Sequence, residues 1–168
     1  MISIRAAKGD DLPAITEIYN EAIETTVATF DTEPKTLDEQ GKWFEHHGPR
    51  YPVLVVELGR VVVGWASLSK WSDRCAYAET GEISLYVKEQ FRARGIGKKL
   101  LMAIVEEGKK GGLHTVIARI AHGNGTSVHL HTLAGFEHIG VMREVGRKFG
   151  KRIDVHLMQK IYYRECLE

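Results

Sequence analysis

Arg92-Ala93-Arg94-Gly95-Ile96-Gly97 joins a strand-like run, Glu82 to Val87, to a helix-like run, Ile96 to Lys110. A glycine-rich turn that opens a helix leaves several backbone N–H groups unpaired at the positive end of the helix dipole. Such a turn can receive a phosphate, and glycine lets the backbone approach an anion without side-chain clash. Three readings of the loop compete. A P-loop needs Ser or Thr after Gly-Lys, whereas Gly97 is followed by Lys98 and Lys99. A dinucleotide site wants three glycines in the first strand-helix unit and an acidic residue further on. This loop has two glycines and lies in mid-chain. A plain strand-to-helix turn needs no ligand.

Other residues carry chemistry too. His131, one of eight histidines, sits four positions before Gly135. An imidazole titrates near neutrality and can give or take a proton at working pH. His129, two positions earlier on the same expected helix, points to nearly the opposite face. Asn124 can cap that helix. Cys75 and Cys166 match no metal or redox spacing, so neither a metal site nor a disulfide framework is expected. The basic clusters Arg92 to Lys99 and Arg143 to Arg152 read as solvated surface.

The elements that must position these residues follow from periodicity. Ile2 and Ile4 alternate with polar neighbours as in a short strand. Asp10 or Asp11 can cap a helix carrying Leu12, Ile15, Ile18, Tyr19, Ala22 and Ile23. Thr36 and Glu39 fit the capping box of a second helix. Pro52 to Glu57 and Val61 to Leu68 read as a hairpin turning at Leu58-Gly59-Arg60. After the glycine loop, Ile96, Leu100, Leu101, Ile104 and Val105 share one helix face, which Gly111-Gly112 ends. Thr115 to Ile120 alternates as a strand, and a short helix runs from Asn124 or Thr126 to Gly135. Phe136 to Met142 and Ile153 to Ile161 close the chain as two strands. The result is a mixed α/β domain around one sheet, with residues 1–168 forming a single domain.

Composition sets outer limits. The chain has 168 residues, 43% hydrophobic and 27% charged, with a net charge of +1. That charge supplies no field to recruit nucleic acid or a membrane surface. No apolar signal core opens the sequence and no stretch approaches transmembrane length, so a reducing cytoplasm is the expected location.

Taken together, the motifs resemble the GNAT superfamily of N-acetyltransferases. Arg92-x-x-Gly95-x-Gly97 after a strand matches its acyl-CoA pyrophosphate motif. Asn124-x-x-Ser127-x-x-Leu130-His131-x-x-x-Gly135-Phe136 is similar to its second cofactor segment. Ile4-Arg5-Ala6-Ala7 and Ile18-Tyr19-Asn20 are similar to its opening. The resemblance is closer still to the phosphinothricin acetyltransferase branch. It rests on Thr29-Phe30-Asp31-Thr32-Glu33-Pro34, on Arg74-Cys75-Ala76-Tyr77 followed by Glu82, and on Gly150-Lys151-Arg152-Ile153-Asp154-Val155. Arg152 stands where many relatives carry an aromatic residue.

The resemblance implies a GNAT-like fold, a mixed and mostly antiparallel central sheet flanked by helices. It also implies acetyl transfer from acetyl-CoA to the amine of a small amino-acid analogue, such as phosphinothricin, methionine sulfone or methionine sulfoximine. Glu82 takes the position of the catalytic base and His131 assists proton movement at the amine or the leaving thiolate. Backbone groups of Ala93, Arg94, Gly95, Ile96, Gly97 and Lys98 surround the pyrophosphate, with Arg92 alongside. The strand Leu85, Tyr86 and Val87 meets the pantetheine arm and supplies an N–H to the developing oxyanion. Asn124 and Ser127 complete the cofactor set. Phe30, Glu33, Arg74 and Tyr77 line the acceptor pocket, where a guanidinium suits a planar anion. A homodimer is implied as well. A polyamine, an aminoglycoside or a protein N-terminus are alternative acceptors, and a non-catalytic acyl-CoA-binding module is an alternative class. Arg74 argues against a polyamine.

Overall fold

A computed structural model describes residues 2–163. Seven strands form one sheet: β1 (Ile2–Ala6), β2 (Val53–Leu58), β3 (Val61–Lys70), β4 (Thr80–Val87), β5 (Thr115–Ala121), β6 (Glu137–Lys148) and β7 (Lys151–Ile161). Four helices accompany them: α1 (Leu12–Thr25), α2 (Leu37–Glu45), α3 (Ile96–Lys110) and α4 (Gly125–Leu133). The strand order is β1-β2-β3-β4-β5-β7-β6. Every neighbouring pair is antiparallel except β4 and β5, which run parallel. This is the mixed, mostly antiparallel sheet expected from the sequence.

Strand alternation sorts the side chains onto two faces. One face carries Ala66, Leu68, Ile83, Val116 and Ala118, packed against Leu100, Leu101 and Ile104 of α3, with Leu130 of α4 and Ala134 just after it joining them. Gly108 lets α3 lie close, since a Cβ there would come within 2.5 Å of Leu68 Cδ1. The other face carries Val53, Val55 and Trp65 against Ile15 and Ile18 of α1, with Trp43 of α2 packed alongside.

The parallel pair is short. β4 and β5 pair only through Thr80, Gly81 and Glu82, opposite Thr115, Val116 and Ile117. β5 then stays with β7 through Ala121, while β4 stays with β3 through Val87. The sheet therefore splits beyond Glu82.

Two expectations need correction. Asp11 does not cap α1 with its side chain. Its carboxylate is held by a bidentate fork from Arg5 at 2.7 and 2.8 Å and accepts the Lys8 N–H at 2.7 Å. The final hairpin is also longer than expected. β6 continues past Met142 to Lys148 because register shifts at His138/Gly140 and Met142/Gly146 absorb the polar interruption. Glu144 sits there at φ 50°, and its N–H donates to Asp154 Oδ1 at 2.7 Å. Arg147 and Arg152 face each other near the tip of this hairpin, both exposed.

Candidate active site

The glycine loop ends at Gly95, the N-cap of α3, at φ 75° and ψ 0°. Ala93 is also left-handed, at φ 59°. The first bond of the helix runs from Lys99 N–H to Gly95 O at 3.2 Å. The N–H groups of Ile96, Gly97 and Lys98 precede it and have no intrahelical acceptor. A Cβ on Gly95 would meet nothing within 4 Å, and one on Gly97 would make only ordinary contact with Leu130 and Leu85. Protein packing therefore does not demand these glycines. Gly95 answers to its positive φ, and Gly97 leaves room for something outside the chain. This fits an anion seated on the loop.

The guanidinium of Arg92 is already engaged. Its Nε donates to Val87 O at 2.9 Å and its Nη2 reaches Glu21 Oε1 at 3.5 Å. It anchors the loop to the end of β4. Arg94 lies over the Phe91 ring at 5.6 Å. Lys98 is exposed.

The split in the sheet supplies a row of main-chain groups. Lys88 N–H bonds to Val63 O on the β3 side. By alternation, the backbone groups of Glu82, Ser84 and Tyr86 face β3, and those of Ile83, Leu85 and Val87 face the gap. Leu85 and Val87 thus present N–H groups where an extended chain can pair. Tyr86 does not. Its main chain serves β3, and its ring turns to the α1/α2 face, against Tyr19 at 5.1 Å and Trp65 at 4.9 Å. Burial pushes the Tyr86 phenol up to about 12.

Glu82 lies at the apex of the split, on the α1/α2 face. Arg119 of β5 forks onto it, with Nη2 to Oε2 at 2.9 Å and Nε to Oε1. The Arg119 guanidinium in turn lies 5.8 Å from the Trp71 ring centroid. A carboxylate offers about four lone-pair sites, so the fork orients Glu82 and leaves sites for water or an amine.

Asn124 is the N-cap of α4, and its Oδ1 accepts the Ser127 N–H at 3.2 Å. His131 lies on α4, 6% exposed, with its ring edge-on to Phe136 at 5.0 Å. Its Nδ1 lies 2.8 Å from Ser127 O. A carbonyl only accepts, so Nδ1 carries the proton and Nε2 is the acceptor of the neutral ring. Burial holds the His131 imidazole below the usual histidine range, opposed in part by this hydrogen bond. His129 is exposed, as its helical offset predicts. Glu82 and His131 lie on opposite faces of the sheet and share no hydrogen bond.

A cavity of about 270 Å³ opens on the α1/α2 face, between Trp65, Ser67, Ser84 and Tyr86 of the sheet and Gln40 and Trp43 of α2. Tyr19, Asp31, Lys35 and Glu39 complete its wall. Tyr19 OH donates to Asp31 Oδ2 at 2.6 Å. Lys148 of β6, 4% exposed, donates to Thr29 O at 2.8 Å and holds the adjoining segment against the hairpin. None of Phe30, Glu33, Arg74 or Tyr77 lines this cavity. All four are exposed, and Phe30 lies against Gly146 of β6.

An open-edged strand beside a helix start with free N–H groups, and an oriented carboxylate at their junction, can take an extended, phosphate-bearing ligand along the split in the sheet. The model of the GNAT acetyltransferase domain matches residues 4–157, and the chain belongs to that family of acetyl-CoA-dependent N-acetyltransferases. It is 39% identical over 159 residues to an L-methionine sulfoximine/L-methionine sulfone acetyltransferase of Pseudomonas aeruginosa, covering 94% of this chain and 92% of the relative. A GNAT superfamily phosphinothricin acetyltransferase from Sinorhizobium meliloti, solved in complex with acetyl-CoA, is 34% identical. It superposes with a TM-score of 0.91, covering 95% of this chain and 88% of that one. A ribosomal-protein-alanine N-acetyltransferase from Brucella melitensis is 38% identical with a TM-score of 0.92, covering 95% and 99% of the two chains.

The sequence reading missed Arg119, Tyr19, Gln40, Trp43, Trp65, Ser67 and Ser84. Polar residues on an otherwise apolar strand were the available signal for Ser67, Ser84 and Arg119. Gln40 and Trp43 read as ordinary amphipathic helix.

Proposed function

We propose that this enzyme transfers the acetyl group of acetyl-CoA to the α-amine of a small amino acid with a polar, oxygen-bearing side chain. The observation that carries this reading is the cavity of about 270 Å³ on the face that Glu82 presents. Pockets for drug-sized ligands run from about 300 to 1,000 Å³. The volume suits an amino acid and is too small for an aminoglycoside. The methionine sulfone and phosphinothricin specificities of the relatives agree with that size.

The chemistry follows from the two sides of the split. Acetyl-CoA lies along β4, its pyrophosphate on Ala93 to Lys98 and its arm on Leu85, Val87, Asn124 and Ser127. Glu82 takes a proton from the ammonium, directly or through one water, and frees the lone pair. The amine nitrogen attacks the thioester carbon. A strand N–H facing the gap stabilises the oxyanion. The C–S bond breaks as the amide forms; the nitrogen gives up its second proton, and that proton, carried by water, neutralises the leaving thiolate. His131 belongs to the thioester side, where its unprotonated Nε2 accepts rather than donates. The exposed Ile139, Val141 and Val145 of the β6 edge, with Phe149 in the turn that follows, support a homodimer.

An acceptor panel tests the reading. Acetyl-CoA is mixed with methionine sulfone, methionine sulfoximine, phosphinothricin, spermidine, an aminoglycoside and a peptide beginning with alanine, and released thiol is measured. The amino-acid analogues are expected to turn over best. Turnover of the peptide alone would favour the ribosomal-protein reading that the Brucella relative carries. Acetyl-CoA binding with no turnover would favour a non-catalytic module.

A further inference from the structure

Ala93 sits at φ 59°, immediately after Arg92. An L-residue takes the left-handed region at a cost, and such a conformation persists where its surroundings hold it. Gly95 needs no such support, since glycine adopts its φ of 75° freely. A support for Ala93 lies just upstream, in the 3₁₀ turn Glu89–Phe91 that follows β4.

Two residues of α1 reach that turn. Glu17 and Glu21 stand four positions apart and share a helix face. Glu17 Oε1 accepts from Lys88 Nζ at 2.8 Å. Glu21 Oε1 accepts the Glu89 N–H at 2.9 Å and lies 3.5 Å from Arg92 Nη2. The two contacts differ in kind. The Glu17 side chain is two-thirds exposed, so its ion pair with Lys88 is solvated and contributes little. The Glu21 side chain is half-buried and serves a main-chain donor. The Glu89 N–H opens the 3₁₀ turn and has no acceptor within it. A carboxylate satisfies it through a charge-assisted bond. One oxygen thus gathers a backbone N–H and a guanidinium, while Arg92 Nε donates to Val87 O at 2.9 Å. α1, the end of β4 and the 3₁₀ turn are tied together one residue before Ala93.

Its charge makes Glu21 an odd neighbour for the loop. A carboxylate near a site for a polyanion opposes binding by Coulomb repulsion. It also occupies an arginine that could otherwise turn to phosphate. Electrostatics alone therefore predicts tighter binding of acetyl-CoA without Glu21. Geometry predicts the opposite, because the loop loses the bond that fixes its approach.

We propose that Glu21 is a positioning residue for the acetyl donor: from α1 it fixes residues 89–92, and through them it sets the N–H groups of residues 93–98 for the pyrophosphate. The proposal rests on the reading of that loop as the pyrophosphate site. It extends the donor site to a helix packed on the opposite face of the sheet from α3.

The test measures the affinity of two donors in the wild type, Glu21→Ala and Glu21→Gln. One is acetyl-CoA; the other is S-acetylpantetheine, which ends before the pyrophosphate. Alanine removes the acceptor oxygen, whereas glutamine keeps it and removes the charge. Glu21→Ala is expected to weaken acetyl-CoA about tenfold, the worth of one hydrogen bond, and S-acetylpantetheine by no more than about twofold. Glu21→Gln should recover most of the acetyl-CoA affinity. Tighter binding of acetyl-CoA in either variant would overturn the proposal, since charge would then outweigh position. Equal losses on both donors, or no loss on either, would overturn it as well. Alanine suits a helix interior, and melting curves check that both variants fold. Glu21→Gln is isosteric with the native residue and keeps the sign of the effect readable if the alanine variant does not fold. A wild type that binds S-acetylpantetheine as tightly as acetyl-CoA would instead overturn the pyrophosphate reading of the loop.

Discussion

Glu82 works as part of a pair. A lone carboxylate on a strand swings between rotamers, whereas the Arg119 fork fixes both oxygens in one plane at the apex of the split. Glu82→Gln keeps the shape and removes the proposed base. It is expected to lower kcat by about 10²- to 10⁴-fold, with acetyl-CoA affinity within a fewfold of the wild type. Arg119→Met keeps the base and removes its orientation, so its loss of kcat should be smaller. Stopped-flow thiol release with separate acetyl-CoA titration distinguishes the two. A Gln variant with wild-type kcat would remove Glu82 from proton transfer. The sequence singled out Glu82 through its resemblance to the acetyltransferase branch, on the strand before the glycine loop. Arg119 was not singled out, because its partnership depends on the parallel pairing that sets Glu82 opposite Ile117, two residues before Arg119. That pairing joins segments separated by the whole of α3, and local spacing carries no trace of it.

At the scale of elements, the loop before α3 is held by conformation at Gly95 and by the Arg92 tether to Val87. Gly95→Val forces a β-branched residue into φ 75°, costing about 1–2 kcal/mol of backbone strain. It also places a side chain over the N–H groups of the helix start. Gly112 gives a matched control. It sits beyond the far end of α3 at φ 84°, also with nothing within 4 Å of a Cβ. Gly95→Val and Gly112→Val should therefore lose similar stability, and only Gly95→Val should lose acetyl-CoA affinity, by about tenfold or more. Calorimetric titration reads the affinity and thermal melting reads the strain. Equal affinities in the two variants would detach the pyrophosphate from this loop. The sequence foretold this element well, since glycine spacing and the 3.6-residue period of α3 are local signals. It foretold β6 poorly. The strand continues through Arg143, Glu144 and Arg147 because two register shifts and the Glu144–Asp154 bond carry it across. Such irregularities are settled by the partner strand, here β7, and leave no period in the strand that bears them.

The whole molecule holds one buried and one half-buried imidazole below their usual range, and this shapes its response to acid. Burial holds His131 below the usual histidine range, and it does the same to His47, whose ring lies between Trp43 and Ser69. Unfolding releases both to their ordinary value of 6.5. Below that value the unfolded chain binds more protons than the folded one, so stability falls as pH falls. The loss begins near pH 6.5 and grows as the pH drops toward the folded values. Asp11, held below its usual range chiefly by the Arg5 hydrogen bond, adds a separate loss that begins near or below pH 4. Melting temperature against pH should therefore fall in two stages, by about 2–4 °C for each kcal/mol lost. His47→Gln and His131→Gln each replace a titrating ring with an amide that does not titrate. Each should lower the melting temperature at pH 7.5 through lost packing, yet flatten the fall between pH 6.5 and 5. Asp11→Asn should leave that upper stage in place and remove the lower one. A double histidine variant with an unchanged slope between pH 6.5 and 5 would show that these two rings do not govern the acid response.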